Sequence, residues 1–289
     1  MILATGGNIN LTNTLVRSVA LGIVAVGQTF VILGGSLDLS VAYQVSVAAV
    51  VASLFMDGDP ANIWWAVLAV IAIGALIGAI NGIVITGFHI NAFIATLGTS
   101  LMLRGALNAA FDNYAGEVPE QFRPLGYDRI LGVPWSVLLL LAIVALGWLI
   151  LRSTRFGHHL YAVGESEETA RLSGVRSGRV LIAAHVLCGV TASLTGLFIV
   201  SRLSAGAPWV GADGNYDLES IAAVVLGGTT LAGGRGGVLG TFAGVLILAL
   251  LDNAFNQLQV NTFLKDVVRG AIIIAAVAAY AMRQRKAGR

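Results

Sequence analysis

From position 60 to position 103 the chain carries no Asp, Glu, Lys or Arg. A bilayer core about 30 Å thick is crossed by a helix of about 20 apolar residues, so this run is long enough to cross, turn and cross back. Further uncharged runs occupy 18–37, 39–56, 130–151 and 180–201, with shorter ones at 220–234, 236–251 and 270–282. They predict about eight to nine spans, in one all-α, polytopic membrane helical bundle covering 1–289. Composition agrees: 57% of residues are hydrophobic and 11% charged, where a water-soluble domain carries roughly a quarter charged residues.

Glycine is frequent at 36 residues and proline scarce at 5, which suits helices that approach through small side chains. Gly74, Gly78 and Gly82, four apart, read as such a packing face. Net charge is only +2 and the basic residues sit at loop edges, which argues against a nucleic-acid partner. With Cys188 as the sole cysteine, neither an intrachain disulfide nor a cysteine-based metal site can form. The opening "MILATGGNINLTNTL" lacks the basic region and small-residue cleavage site of a signal peptide.

Charge sets the expected orientation. Residues 152–179 hold arginines at 152, 155, 171, 176 and 179, and the tail holds Arg283, Arg285, Lys286 and Arg289. The positive-inside rule puts both in the cytoplasm. Alternation then sends 57–63, 104–134, 202–219 and 252–269 outside, together with Trp64, Trp65, Trp135 and Trp209, whose indoles prefer the headgroup level. Trp148 falls near the inner end. The same alternation leaves the N-terminus outside, an arrangement that a preceding helix would explain.

Three short segments recur in the same order. "VILGGS" (31–36) returns as "VVLGGT" (224–229), "INAFI" (90–94) as "VNTFL" (260–264), and "RGA" (104–106) as "RGA" (269–271). Repeated halves with glycine-interrupted hydrophobic segments mark transporter folds with broken or re-entrant helices, although charge does not decide whether the repeat is inverted or parallel.

The first Gly-Gly segment leads to the first chemical candidates, Gly34, Gly35, Asp38 and Ser40. Unwound backbone at membrane depth is tolerated only against protein or a wet cavity, and an ionisable group there suggests function. Asp38 therefore reads either as lining a solute path or as the N-cap of the following helix at an aqueous edge. A second polar series, Asn81, Asn91, Thr96, Thr99, Ser100 and Arg104, offers neutral donors and acceptors that suit either a hydroxylated solute or interhelical hydrogen bonds. Of these, Asn91, Thr96 and Ser100 join the candidate pathway. His89 reads as a turn residue and His185, alone on an apolar span, as packing.

Between two spans the chain spends over twenty-five residues on 152–179, where a connector needs only a few. Glu165 to Leu172 predicts a short helix, acidic at its start and basic at its end as the dipole favours, stopped by Gly174. Glu165, Glu167, Glu168, Ala170, Arg171, Ser173 and Gly174 are the candidate docking residues for a cytoplasmic partner; a solvated connector is the alternative.

Lys265 and Lys286 are the only lysines and neither follows the GxxxxG of a phosphate-cradling loop. Any ATP and magnesium would therefore be held by another subunit, and no cofactor or metal is expected in this chain. Neither GxSxG nor HExxH occurs, and the spans hold no paired carboxylates, so the reading is not an enzyme. A gradient-driven transporter would call for intramembrane carboxylates, and Asp38 is the one candidate.

Across residues 20–285 the chain resembles the ribose and related-sugar permease family of ATP-binding-cassette importers. The resemblance rests on "GQTFVILGGSLDLSV" (27–41), "TLGTSLMLRG" (96–105), "TRFGHHLYAVGESEETARLSGV" (154–175) and "LESIAAVVLGGTTLAGGRGGVLGT" (218–241). It implies a type II importer-like permease that pairs with a second permease subunit, as a homo- or heterodimer. It also implies a cytoplasmic ATPase bearing two cassettes, a periplasmic sugar-binding protein, and a coupling helix at Glu165–Gly174. A branched-chain amino-acid or nucleoside permease is the alternative within the class. Two departures accompany it: the family's further helix before about Leu11 is missing, and Thr169 precedes Ala170 where the family often has Ala-Ala.

Overall fold

The computed structural model describes residues 2–261 and positions 264, 267, 268, 270 and 271. The second copies of the two shorter repeats lie partly, and the basic tail from 283 wholly, outside the described residues.

Chain order runs α1 (Ile2–Leu33), α2 (Val41–Met56), α3 (Ile63–Phe88) and α4 (Ala92–Ala110), then a short α5 (Pro124–Tyr127). The hairpin β1 (Arg129–Ile130) and β2 (Val133–Pro134) comes next, then α6 (Trp135–Ser153), α7 (Arg155–Glu165) and α8 (Glu167–Leu172). The last described helices are α9 (Ser177–Leu203), α10 (Val210–Asp213), α11 (Tyr216–Leu226) and α12 (Val238–Gln257).

Among the described residues five helices, α1, α3, α6, α9 and α12, are long and apolar enough to cross a membrane. The remaining uncharged runs divide differently. The 60–103 run breaks at His89, a left-handed residue that ends α3, into α3 and the more polar α4. The 39–56 run yields the 16-residue α2, and 220–234 holds only the end of the 11-residue α11. At 1.5 Å per residue α11 reaches about 16 Å, half of a crossing.

Helix α9 lies at the centre, enclosed by α1, α2 and α3, with Ala184, Cys188, Ala192 and Val200 fully buried. The α3 face of Gly74, Gly78 and Gly82 makes this possible. A Cβ at Gly74 would collide with the Gly189 carbonyl and Ser193 Oγ, one at Gly78 with the His185 carbonyl, and one at Gly82 would lie 2.6 Å from Ile182 Cα. Lipid offers no hydrophobic drive between helices, so close backbone approach is the source of cohesion.

The loops gather at two ends. At one, Gly58 N–H donates to Glu117 O (3.1 Å), Ala115 bridges Gly206, and Val118 N–H donates to Ser204 O (3.1 Å). Trp64, Trp65 and Trp135 lie exposed at helix starts on this end. His89, residues 154–176 and the 229–237 loop occupy the other, where the Arg152 guanidinium stacks 5.2 Å from the Trp148 ring. Charge, carried along the chain by alternation of spans, predicts this grouping of the described loops.

Candidate functional site: a buried polar cluster beside a broken helix

The site begins where α1 stops. Gly35 takes φ +77°, open to glycine at no steric cost, and the chain reverses through Gly35 N–H to Ile32 O (2.9 Å) and Ser36 N–H to Val31 O (3.1 Å). This is the paired-bond C-cap of a helix. Gly34 fits because Leu181 Cδ2 would lie 2.7 Å from any Cβ there.

The returning strand of chain, 36–40, climbs back beside α1. The Gln28 side chain receives it: with the amide oxygen turned to Asp38 N–H and the amide nitrogen to Asp38 C=O, the orientation that satisfies both, it exchanges two 3.3 Å hydrogen bonds with that backbone. Asp38 is fully buried. Its carboxylate accepts from Ser40 N–H (2.9 Å) and Ser40 Oγ (2.5 Å), and Asn81 Nδ2 approaches to 3.4 Å. On its other side stands His185 Nδ1 at 3.3 Å, while His185 Nε2 meets Ser36 Oγ at 3.0 Å. A carboxylate only accepts, so Nδ1 carries the proton toward Asp38.

From there the network spreads. Ser40 Oγ accepts from Asn81 Nδ2 (2.9 Å) and Gln44 Nε2 (2.7 Å), and Asn81 Oδ1 accepts from Thr99 Oγ1 (2.7 Å). Gln44 Oε1 alone in the cluster is buried without a partner. Asn81 lies seven residues before the end of α3 and His185 eight after the start of α9, which sets the cluster about 10–12 Å inside the arginine-rich end. Sealed inside the protein, these groups can bind, align helices and hold charge.

The structure draws some predicted residues together and separates others. Gly34, Asp38, Ser40 and Thr96 share the break, Thr96 Oγ1 accepting from Leu39 N–H (3.1 Å), and Ser100 is buried one turn further along α4. Gly35 is exposed at the turn. Asn91 is not part of the cluster: it is exposed and caps α4, accepting from Phe93 N–H (2.9 Å). Asp38 is not a cap at an aqueous edge, because Ser40 holds the N-cap position of α2 and Asp38 is sealed from solvent. Nor is His185 alone. Gln28 and Gln44 were missed, although a glutamine inside a long apolar run is itself a signal for a buried polar partner.

The 152–179 segment folds as two helices. Thr154 caps α7 by accepting from Gly157 N–H (3.1 Å), and Ser166 caps α8 by accepting from Thr169 N–H (3.3 Å). The short helix therefore starts at Glu167, and Glu165 ends α7 instead, pairing with Arg235 at 3.3 Å. Gly174, at φ +83°, closes α8 as expected, with Val175 N–H donating to Ala170 O (3.0 Å). Glu167, Glu168, Arg171 and Ser173 are exposed, and Glu167 also accepts from Ser177 Oγ (2.9 Å). Ala170 is buried at 4% exposure and offers nothing to a partner; the apolar group that α8 presents outward is Leu172, 82% exposed.

A family model described as branched-chain amino acid transport system / permease component matches residues 10–277. The chain belongs to this permease family. The permease is 39% identical to the ribose import permease protein RbsC of Escherichia coli (strain K12) over 277 residues, 93% of this chain and 84% of that protein. It is 37% identical to the L-arabinose transport system permease protein AraH of the same organism over 257 residues, 89% and 77% of the two chains. Against the galactose/methyl galactoside import permease protein MglC, also of that strain, it is 33% identical over 93% and 85%. No solved structure matches it.

Proposed function

We propose that this permease is the membrane subunit of an ATP-binding-cassette importer for a small sugar, moving it by alternating access while a partner subunit hydrolyses ATP. The observation that carries the reading is similarity at 33–39% identity, over about nine-tenths of the chain, to proteins named for ribose, arabinose and galactose. Neutral hydrogen-bonding groups such as Asn81, Thr99 and Gln44 suit a hydroxylated cargo.

In this reading the arginine-rich end is cytoplasmic within a multi-pass inner-membrane protein. The exposed face of α8 docks an ATPase, with Leu172 as its apolar anchor and Glu168 and Arg171 beside it. A soluble sugar-binding protein delivers cargo at the tryptophan-rich end, and a second permease subunit completes the path. Gly34, Asp38, Ser40, Thr96 and Ser100 border that path near its inner end.

Two measurements test this. Vesicles holding the permease with its ATPase and binding protein should accumulate labelled ribose, arabinose or galactose on ATP addition; accumulation of leucine and no sugar would instead favour the amino-acid reading. Cys188 is buried, so single cysteines placed at Glu168 and Glu120 in a Cys188→Ser background should label from opposite sides, Glu168→Cys from the cytoplasm. Labelling of Glu168→Cys from outside would reverse the orientation and remove the ATPase docking face.

A further inference from the structure

At the arginine-rich end three parts of the chain meet through backbone atoms. They are the C-terminus of α1, the loop after the second Gly-Gly segment, and the junction of α7 with α8. Gly234 N–H donates to Leu33 O (2.9 Å), so the loop satisfies a carbonyl that the end of α1 leaves open. Gly164, the penultimate residue of α7, sits against the same carbonyl: a Cβ there would collide with Leu33 O and Gly234 N. A Cβ on Gly233 would come within 2.9 Å of both Gly164 O and Gly35 N, and one on Gly234 within 2.8 Å of Glu165 N. Two further bonds lace the loop to α7. Tyr161 Oη donates to Gly236 O (2.9 Å), and Arg235 pairs with Glu165 at 3.3 Å.

Contact through backbone atoms leaves no rotamer to absorb a displacement. A shift of α7 must therefore move Leu33, and three residues beyond Leu33 stands Ser36, which holds His185 (3.0 Å) and through it Asp38 (3.3 Å). The same shift must move 233–236, which is tied back to the end of α11 by Gly237 N–H to Thr229 Oγ1 (3.2 Å). Both Gly-Gly segments of the repeat thus end on one point of the cytoplasmic segment.

We infer that Gly164, Gly233 and Gly234 form a rigid joint that transmits motion of α7–α8 to both helix breaks together, acting as positioning residues for the transport cycle. The inference rests on the importer reading above. Coupling of this kind requires that both ends bias one element, and that is what the test measures.

Gly164→Ala and Gly234→Ala, each in the complete complex, should retain ATPase binding and basal hydrolysis. Cargo-stimulated hydrolysis and uptake should fall at least ten-fold. Gly87→Ala, where an added Cβ meets nothing within 4 Å, is the control and should transport as the parent does. Should either variant fail to assemble, hydrogen exchange on the unaltered complex decides: trapping the ATPase in its nucleotide-bound form should change protection in peptides 30–40 and 229–237 together with 155–175. Parent-like stimulated uptake in both alanine variants, or a protection change confined to 155–175, overturns the joint. If no ATPase binds the unaltered permease at all, the importer reading itself fails, and the joint falls with it.

Discussion

Segments 31–36 and 224–229 bend the chain with the same pair of hydrogen bonds. In the first, Gly35 N–H reaches Ile32 O and Ser36 N–H reaches Val31 O; in the second, Gly228 N–H reaches Val225 O (2.9 Å) and Thr229 N–H reaches Val224 O (3.1 Å). The left-handed glycines match as well, φ +77° against +88°. Beyond the turns the two copies part. After the first, Leu37–Ser40 turns inward and builds a sealed polar cluster around Asp38. After the second, Leu231 and Arg235 lie exposed and the loop lies against α7. One backbone device therefore serves an internal polar lock in one copy and a surface contact in the other, and the residues just beyond the turn determine which.

The sharpest way to break this comparison is to remove the group that makes the copies differ. Asp38→Ala leaves His185, Asn81 and Ser40 without their shared acceptor inside the membrane domain. Each buried donor left without its acceptor costs about 1–3 kcal/mol. Thermal unfolding in detergent should show a large drop in midpoint, with loss of uptake; a midpoint within a degree or two of the parent would mean the cluster holds nothing together.

Smaller effects should be shared by the two copies if the turns are truly equivalent. Gly35→Ala and Gly228→Ala each place a Cβ on a left-handed residue, with only Ala232 O at 3.6 Å near the first and nothing near the second. Each should cost about 1–2 kcal/mol from backbone strain alone. Midpoint shifts that differ by more than about two-fold would show that the turns are alike in geometry but not in energy.

The smallest effect belongs to the surface side of the second copy. Arg235→Ala breaks an ion pair whose side chains are 66% and 59% exposed, and pairs of that kind contribute about 0–1 kcal/mol. Stability should barely move in a denaturation series. A loss approaching that of Asp38→Ala would show that the exposed loop is held by charge and not by its glycine contacts.

Much of the local structure was legible. The repeat predicted two matched breaks because the second glycine of each pair can take the left-handed backbone that a helix end of this kind requires. Gly74, Gly78 and Gly82 predicted a close helix contact because spacing by four puts all three on one face. Gly174 marked the end of α8, while Ser166, a serine three residues before Thr169, could have placed its start correctly and separated Glu165 from it. Charge and tryptophan placement sorted the loops into two groups, since both respond to the membrane surface independently of which helices are neighbours.

Contacts between distant residues were not legible. His185 meets Asp38 across 147 positions, and nothing beside either residue announces the other. Asp38 read as an exposed cap or a pathway group until the fold closed Gln28, Asn81 and His185 around it. Ala170 was a candidate docking residue and Leu172 was not, yet the packing of α8 buries the first and exposes the second. Spacing, caps and charge act over one or two helical turns, so the sequence by itself determined the membrane class, the breaks and the helix faces. Which faces meet depends on the simultaneous packing of many helices, and so the tertiary structure alone decided the Asp38 cluster and the glycine contact of Gly164 with Leu33 and Gly234.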